Sequence, residues 1–545
     1  MKSDLGRWKT RLTPGLIDRY TSSGQWKNRT LADSALRWVR ENPRAVAIVE
    51  GERTATFAEI VEDARSLLTT LQRYGLQPGD VISFQVPNWI ETAAINLAAS
   101  MGGFVCNPIV FIYRDAEVGY ILRNARTKVL FIPERYRNFD YVEMANRLRG
   151  GLPLLDKIVV VRGQGEGCVS YAECLEQGRS GAPAVGDVDP NSIKMLLYTS
   201  GTTGSPKGVL HTHNTLMAEE LAIAGYWKLT RNDVVFMPSP VSHVAGYTFG
   251  LEMAFVAGIK LVLMDRWDAA EAIKLIQEHG ATFTVGATPF LSELVAELER
   301  TRIDLPSFRL FASGGAPVSP EIVYRAARVF RNGVVCRVFG SSEAPTVTLG
   351  ILRREDQELG ATTDGRIVNH EVRICDPVSG AVLPEGVEGE IVTRGPEVMV
   401  GYADWSQTEE AFDADGYFHM GDLGYISHGD FITVSGRKKD LIIRGGENLS
   451  PKEIEDVLHA HPAVREAAVV AMPHARLGET PCAFVVLNDG HTFDLAGMKT
   501  CLDKAGLARQ KFPERLVVVP DLPKTAAGKV LKHILRERAK GFAAE

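Results

Sequence analysis

The sequence predicts an α/β protein: a large N-terminal domain of βαβ-type sheets followed by a small C-terminal α+β domain. Three observations carry this. Short apolar runs alternate with longer helix-like segments over most of the 545 residues, the pattern of strands covered by helices on both faces. The character changes after about Tyr417, where the strand-like pieces become short and are separated by glycines and charged residues. Then comes the polar, turn-rich run Ser435-Gly436-Arg437-Lys438-Lys439-Asp440, and the stretch beyond it carries strand and helix signals of its own, enough for a small domain. We place the division at residues 1–436 and 437–545. By composition alone the polar run also fits a solvated hairpin turn.

In chain order, Val81–Val86 reads as a strand closed by Pro87-Asn88. The Ala-rich segment Glu91–Met101 suits a helix that stops at Gly102-Gly103. Lys128–Ile132, Lys157–Val161, Lys194–Tyr198, Leu261–Met264 and Thr282–Val285 read as buried strands. Helical stretches Ala269–His279 and Pro289–Leu298 separate some of them. Tyr417–Ile426, Phe431–Val434 and Leu441–Ile443 are the short strand-like pieces of the later region.

Composition narrows the function. Lys and Arg number 61 against 67 Asp and Glu, a net charge of −6, so no global basic field exists to hold a nucleic acid. The hydrophobic fraction of 45% and charged fraction of 23% are ordinary for a globular protein. Seven scattered cysteines include no CxxC pair, which argues against a zinc ribbon or redox dithiol and fits a reducing compartment. Met1–Thr10 is polar, with no apolar leader behind it. No apolar run reaches the roughly 18 residues of a membrane span, and the most apolar stretch, Leu251–Met264, is interrupted by Glu252 and Lys260. A cytoplasmic protein without a membrane span is expected.

The densest chemical signal is Leu196–Gly208, LLYTSGTTGSPKG. An apolar strand runs into a loop whose glycines can turn backbone N–H groups toward an anion, whose hydroxyls add donors, and whose Lys207 adds a full charge. Polyphosphate needs that combination. The spacing is not that of the usual P-loop, and a Gly/Ser/Thr loop alone can be a plain turn.

With this loop in view the chain resembles the adenylate-forming superfamily of acyl-CoA synthetases, firefly luciferase and peptide-synthetase adenylation domains. The resemblance runs from about Leu31 to Leu535, and several motifs occur in the family's order. Gly286-Ala287-Thr288-Pro289-Phe290, Arg437–Ser450 and Pro481–Leu487 look most similar to short- and medium-chain or cyclohexanecarboxylate CoA ligases. The resemblance implies a two-step reaction. A carboxylate and Mg2+-ATP give acyl-adenylate and pyrophosphate, and a thiol, coenzyme A, then displaces AMP. Attack of one anion on another demands fixed positive charge and donors where negative charge concentrates.

It also implies roles. Thr199, Ser200, Gly201, Thr202, Thr203 and Lys207 would cradle the β/γ-phosphates. Glu343, in Phe339-Gly340-Ser341-Ser342-Glu343, would bind magnesium, with Ser342 donating to the α-phosphate. A Glu after a strand is otherwise ordinary surface. Phe339 stands where many relatives carry Tyr, keeping the ring that stacks on adenine but not its phenol oxygen. Gly315, Ala316 and Pro317, after Gly314, would line the other adenine face, and Gly340 adjoins it. Asp422 and Arg437 would hold the ribose. His243 would sit between acyl pocket and thiol entrance, although a lone His beside apolar residues is more often a satisfied core residue. Lys529, in Pro523-Lys524-Thr525-Ala526-Ala527-Gly528-Lys529, would bridge the acyl carboxylate and α-phosphate, while Lys532 is expected at the solvent surface. Catalysis is thus expected from Lys529, His243, Thr203 and Glu343.

The small domain is implied to be mobile, turning about Lys439 so that Arg444-Gly445-Gly446-Glu447-Asn448 lines the pantetheine channel. Coenzyme A is favoured because the chain stops at Glu545 without a carrier domain. The alternatives are a freestanding adenylation enzyme loading a carrier protein, and a silent nucleotide-binding protein. Val244, Tyr247, Gly286, Ala287 and Gly314 are expected tunnel walls, which leaves medium-chain, alicyclic and aromatic acids open. The PKTAAGK run also resembles a pattern read by protein acetyltransferases, so Lys529 is a candidate for acetylation and deacetylation.

Overall fold

A computed structural model describes residues 7–181, 183, 185–199, 206–316, 318–445, 447–524 and 530–542. Among these, the strands form two large sheets, a smaller antiparallel sheet and a C-terminal sheet. In the first large sheet Val334–Arg337, Leu310–Ser313, Phe283–Gly286, Val234–Met237, Lys260–Leu263 and Val46–Glu50 run parallel, and Arg53–Thr56 closes one edge antiparallel. The second has a parallel core of Val105–Pro108, Val81–Phe84, Val129–Pro133 and Lys157–Val161. The βαβ reading holds here. Strands such as Val129–Pro133 are buried along their whole length, as sheets covered on both faces require.

Helices Phe57–Arg73 and Glu91–Gly102 pack on each other, and their apolar residues share one core with strands of both large sheets. Each is specified locally. Thr56 caps the first helix through a capping box with Glu59. The second ends at Gly103, whose φ of 64° suits a residue without Cβ.

The parallel rule fails at one edge of the second sheet. Ile193–Thr199 pairs antiparallel with Lys207–Thr212, and the latter antiparallel with Gly401–Tyr402. The Gly/Ser/Thr loop therefore closes a hairpin instead of leading into a helix.

The antiparallel sheet comprises Glu371–Cys375, Gly389–Arg394, Phe418–Ser427 and Phe431–Arg437. A short 3-10 turn, Lys438–Asp440, leads from its last strand to Ile442–Arg444, the first strand of the C-terminal sheet. There Val464–His474 and Gly478–Leu487 form a long antiparallel pair, with Arg515–Val518 parallel beside it. Apolar cores lie on both faces of this pair.

Glu252 is no break in the apolar run. It lies within a π-helical turn, Tyr247–Glu252, and pairs with Lys194, the two side chains being 1% and 2% exposed. Tyr247 and Asn96 complete the buried group, with Lys194 Nζ 2.9 Å from the Tyr247 hydroxyl and 3.1 Å from Asn96 Oδ1. All seven cysteines are free thiols. Among the described residues no helix is long and apolar enough to cross a membrane.

Candidate active site

The hairpin fixes one corner of the site. Thr199 and Lys207 are register partners at the end where the connecting stretch joins the two strands. Ser200, Gly201, Thr202 and Thr203, between them, lie outside the described residues. Strand alternation puts Lys207, Val209 and His211 on one face. Opposite Val209 in register stands Tyr402, whose ring centroid is 5.0 Å from Lys207 Nζ.

The segment that follows Val334–Arg337 crosses this face. Gly340 is required there, because a Cβ would stand 2.1 Å from the Pro345 carbonyl oxygen. Phe339 N–H donates to Thr348 Oγ1 at 2.8 Å, and Ala344 N–H donates to Ser341 Oγ at 3.1 Å, so the turn is closed by its own groups. His211 Nε2–H donates to the Ser342 carbonyl at 2.8 Å. Burial pushes this imidazole down to about 4, so it stays neutral as a fixed donor. Glu343 is held twice: its carbonyl accepts from Met399 N–H at 2.8 Å, and its Oε1 accepts from the Tyr402 hydroxyl at 2.8 Å. Burial first, and the Glu343 charge second, raise the Tyr402 phenol, which keeps its proton on the bond.

The other edge is built from paired charges. Asp422 and Arg437 face each other across two strands, with Arg437 Nε 3.0 Å from Asp422 Oδ1. Gly315 takes a φ of 77°, and a Cβ on Gly314 would stand 2.5 Å from the Val338 carbonyl oxygen. Pro317 lies outside the described residues. Gly315, Ala316, Phe339, Gly340, Asp422 and Arg437 line one cleft of about 920 Å³. Lys439, Asp440, Lys524, Val530, Lys532 and Arg536 line it as well.

Lys529 lies outside the described residues, but its flanks are placed. Lys524 and Val530 pair as an antiparallel bridge, and Leu531 N–H donates to the Pro523 carbonyl at 2.8 Å. Both ends of that segment are thus pinned together at the cleft. Lys532 is not the expected solvated cation; its ammonium sits 2.6 Å from Glu455 and its side chain is 19% exposed. Asp440 bonds to Arg536. Burial would raise the Asp440 carboxyl, but Lys532 and Arg536 hold it below the ordinary carboxylate range. Burial and then Arg437 lower Lys439.

His243, the expected tunnel walls and Gly445 are not among the residues that line this cleft. His243 is half-buried, and its Nδ1 accepts from Ala245 N–H at 3.3 Å. Its loop is held by Asn88, which accepts from Val241 N–H at 2.9 Å and donates to the Ser239 and Met264 carbonyls at 2.9 and 3.0 Å. Of the expected tunnel walls, Gly286 and Gly314 are bonded neighbours at 3.3 Å, while the Tyr247 hydroxyl is committed to Asn96 at 2.6 Å. Gly445, with φ of 60°, donates to the Leu477 carbonyl at 2.8 Å, and Arg444 bonds to Gln510 and Glu514. Gly446 lies outside the described residues. Sequence reading missed Tyr402, His211 and Asn88. Only His211 offered a signal, in the His-Thr-His run directly behind the loop.

A cation, a carboxylate and a neutral donor frame converge at the mouth of a hairpin, beside a cleft edged by a ring and a second carboxylate. That arrangement defines a nucleotide-using enzyme, and the chain belongs to the AMP-binding enzyme family, whose model matches residues 36–403. The family's C-terminal domain matches residues 453–529. The chain is 33% identical over 523 residues to the medium-chain fatty-acid–CoA ligase of Escherichia coli K12, covering 95% of this chain and 92% of that one. It is 30% identical to the vibriobactin-specific 2,3-dihydroxybenzoate-AMP ligase of Vibrio cholerae, covering 99% and 98%. Among solved structures, ATP-bound MatB from Rhodopseudomonas palustris superposes with a TM-score of 0.83 at 28% identity, covering 94% of this chain and 99% of that one.

Proposed function

We propose that this chain activates a medium-chain, alicyclic or aromatic carboxylic acid and transfers it to coenzyme A. Its class is an AMP-forming acid–CoA ligase, working through an acyl-adenylate. The single observation that carries the reading is the juxtaposition of Lys207 and Glu343 around Tyr402, next to the cleft edged by Phe339 and Asp422.

In this reading Lys207 and the hairpin loop, from Thr199 through Thr203, hold the β/γ-phosphates until pyrophosphate leaves. Phe339 stacks on adenine, which Gly315, Ala316 and Pro317 flank, and Asp422 and Arg437 hold the ribose. Glu343 would hold Mg2+, which when bound supplies countercharge to the phosphates. The donor set fits: such a cation uses one or two carboxylates plus phosphate oxygens and water. Lys529 neutralises the charge shared by the acyl carboxylate and α-phosphate, and His243 aligns the thiol path.

For the second step we place the turning point at Lys439, next to a domain boundary at 436/437. The antiparallel sheet ending at Arg437, followed by a separate sheet from Ile442, supports that division. Rotation would replace the Lys529 segment by the Gly445-Gly446 turn. Lys529 is also proposed as a site of reversible acetylation, which would remove the ammonium charge while keeping the stem. Peptide mass mapping after incubation with a protein acetyltransferase tests that; modification confined to other lysines refutes it.

The likeness to an aryl-acid–AMP ligase keeps a carrier-protein acceptor as the second reading. Pyrophosphate–ATP exchange measured across a panel of acids tests the first step and ranks the acids. Release of AMP with coenzyme A alone then decides the acceptor. Exchange that no acid stimulates refutes the proposal.

A further inference from the structure

Lys207 and Glu343 carry opposite charges at the same corner, yet they form no ion pair with each other among the described residues. What stands at that corner is one aromatic ring. The face of Tyr402 meets the Lys207 ammonium at 5.0 Å from the centroid, and its hydroxyl donates to Glu343 Oε1 at 2.8 Å. We infer that Tyr402 is a positioning residue that keeps Lys207 and Glu343 from neutralising each other and presents one to phosphate and the other to the metal ion.

The ring is well anchored for this task. Its backbone is in register with Val209, two residues from Lys207. Its amide donates to Thr408 Oγ1 at 2.8 Å, and the next amide, on Ala403, donates to the Gly208 carbonyl at 2.7 Å. Gly401, at φ 143°, sits against Thr408, where a Cβ would stand 3.1 Å from Oγ1. Met399 N–H, on the same segment, fixes the Glu343 backbone at 2.8 Å. Segments remote in sequence are thereby locked around one side chain. If the ring were absent, an ammonium and a carboxylate would collapse into a direct pair, costing the site its free cation and its free carboxylate together. Through the hydroxyl, one carboxylate oxygen is occupied and held, and the other is left to meet the metal ion. Through the ring, the ammonium gains an uncharged neighbour that attracts it without cancelling it.

This rests on the reading of Glu343 as the magnesium carboxylate, so the test separates the two ideas. Titration calorimetry would measure ATP affinity with and without Mg2+ for wild type, Glu343→Gln, Tyr402→Phe and Tyr402→Leu, alongside pyrophosphate exchange. Tyr402→Phe keeps the spacer and loses the hydroxyl. It is expected to weaken Mg2+-ATP binding about tenfold, the scale of one charge-assisted hydrogen bond, and to leave metal-free ATP affinity within about twofold. Tyr402→Leu removes the ring and is expected to lower affinity with and without metal. Should Tyr402→Leu fail to fold, Tyr402→Phe still decides the hydroxyl's role, and Tyr402→Trp, which keeps a ring, is expected to retain metal-free ATP affinity. If Glu343→Gln leaves the Mg2+ dependence unchanged, the metal reading itself is wrong. If Glu343→Gln abolishes that dependence but Tyr402→Phe matches wild type, or if Phe and Leu behave alike, the inference about Tyr402 is overturned.

Discussion

The two edges of the nucleotide cleft are built on opposite principles. The phosphate corner is braced from within the N-terminal body by neutral, buried donors: His211 on Ser342 and Tyr402 on Glu343. The edge proposed for ribose and hinge is a row of ion pairs that continues into the C-terminal region: Asp422 with Arg437, Asp440 with Arg536, Glu455 with Lys532. Neutral donors in a dry frame lose their hydrogen bonds at full desolvation cost, so that corner is stiff. The acids of these pairs are largely buried, so each pair holds its own segment in place by charge instead of by neutral donors. One edge suits holding the proposed triphosphate in a fixed pose, and the other sets charged pairs on either side of the Lys438–Asp440 turn.

The largest expected effect tests whether the proposed Lys529 segment serves only the first step. Lys529→Ala is expected to slow adenylate formation by at least roughly 10²-fold, the scale of one positioned electrostatic contact. Thioester formation from preformed acyl-adenylate is expected to change far less, because the proposed rotation would by then have taken Lys529 away from the site. Separate rapid-mixing measurements of the two half-reactions check this. Equal losses in both would mean that the two edges do not divide the work.

A smaller effect tests the stiffness of the phosphate corner. His211 is neutral in the fold, its imidazole held down to about 4 from an ordinary 6.5 by burial. The unfolded chain therefore takes up a proton between those values that the folded chain refuses. His211's contribution is intact above pH 6.5 and declines as pH falls toward 4, by up to about 3 kcal/mol. His211→Gln, which can still donate to the Ser342 carbonyl, is expected to flatten that decline. Denaturant midpoints at pH 7.5 and pH 5 measure it, with His213, also buried and pushed well below its ordinary range, contributing equally to both proteins. Parallel declines would show that His211 is not the neutral pin.

How much of this was legible in the sequence follows the same contrast. The strand Ile193–Thr199 could be read from its apolar run, because burial on both faces leaves a compositional trace. Its antiparallel partner could not, since the stretch between the two strands is longer than the two-to-five-residue turns that mark a hairpin in sequence. The candidate residues of the ribose edge could be named from motifs, and Asp422 and Arg437 do meet. Tyr402 could not. It stands 59 residues from Glu343, and a tyrosine in a short strand looks like core until the strand's neighbour is known. Lys532 was read as solvated because its partner, Glu455, belongs to a helix whose packing depends on the C-terminal sheet. Glu252 read as an interruption for the same reason, its partner Lys194 lying on a distant strand. Charges pair across tertiary distance, and composition records only their presence.

The smallest expected effect sharpens the comparison at the proposed hinge. Lys439 lies within the 3-10 turn Lys438–Asp440, where φ is about −50 to −70°. Proline fixes φ at about −65°, so Lys439→Pro is compatible with the pose described here, in which the Lys524–Val530 flanks line the cleft. A rotation that requires other torsions at this position would be blocked. Adenylate formation is therefore expected to stay within about twofold of wild type, while thioester output falls by about tenfold, about 1.4 kcal/mol in activation free energy. The proline also deletes the residue's N–H and its ammonium, so Lys439→Ala is the companion variant: it loses the charge but keeps the torsional freedom, and is expected to restore most of the thioester rate. Burst amplitude of acyl-adenylate and steady-state thioester production, measured on the same samples, give both numbers. A Lys439→Pro enzyme that makes thioester at the wild-type rate would show that Lys439 is not the hinge.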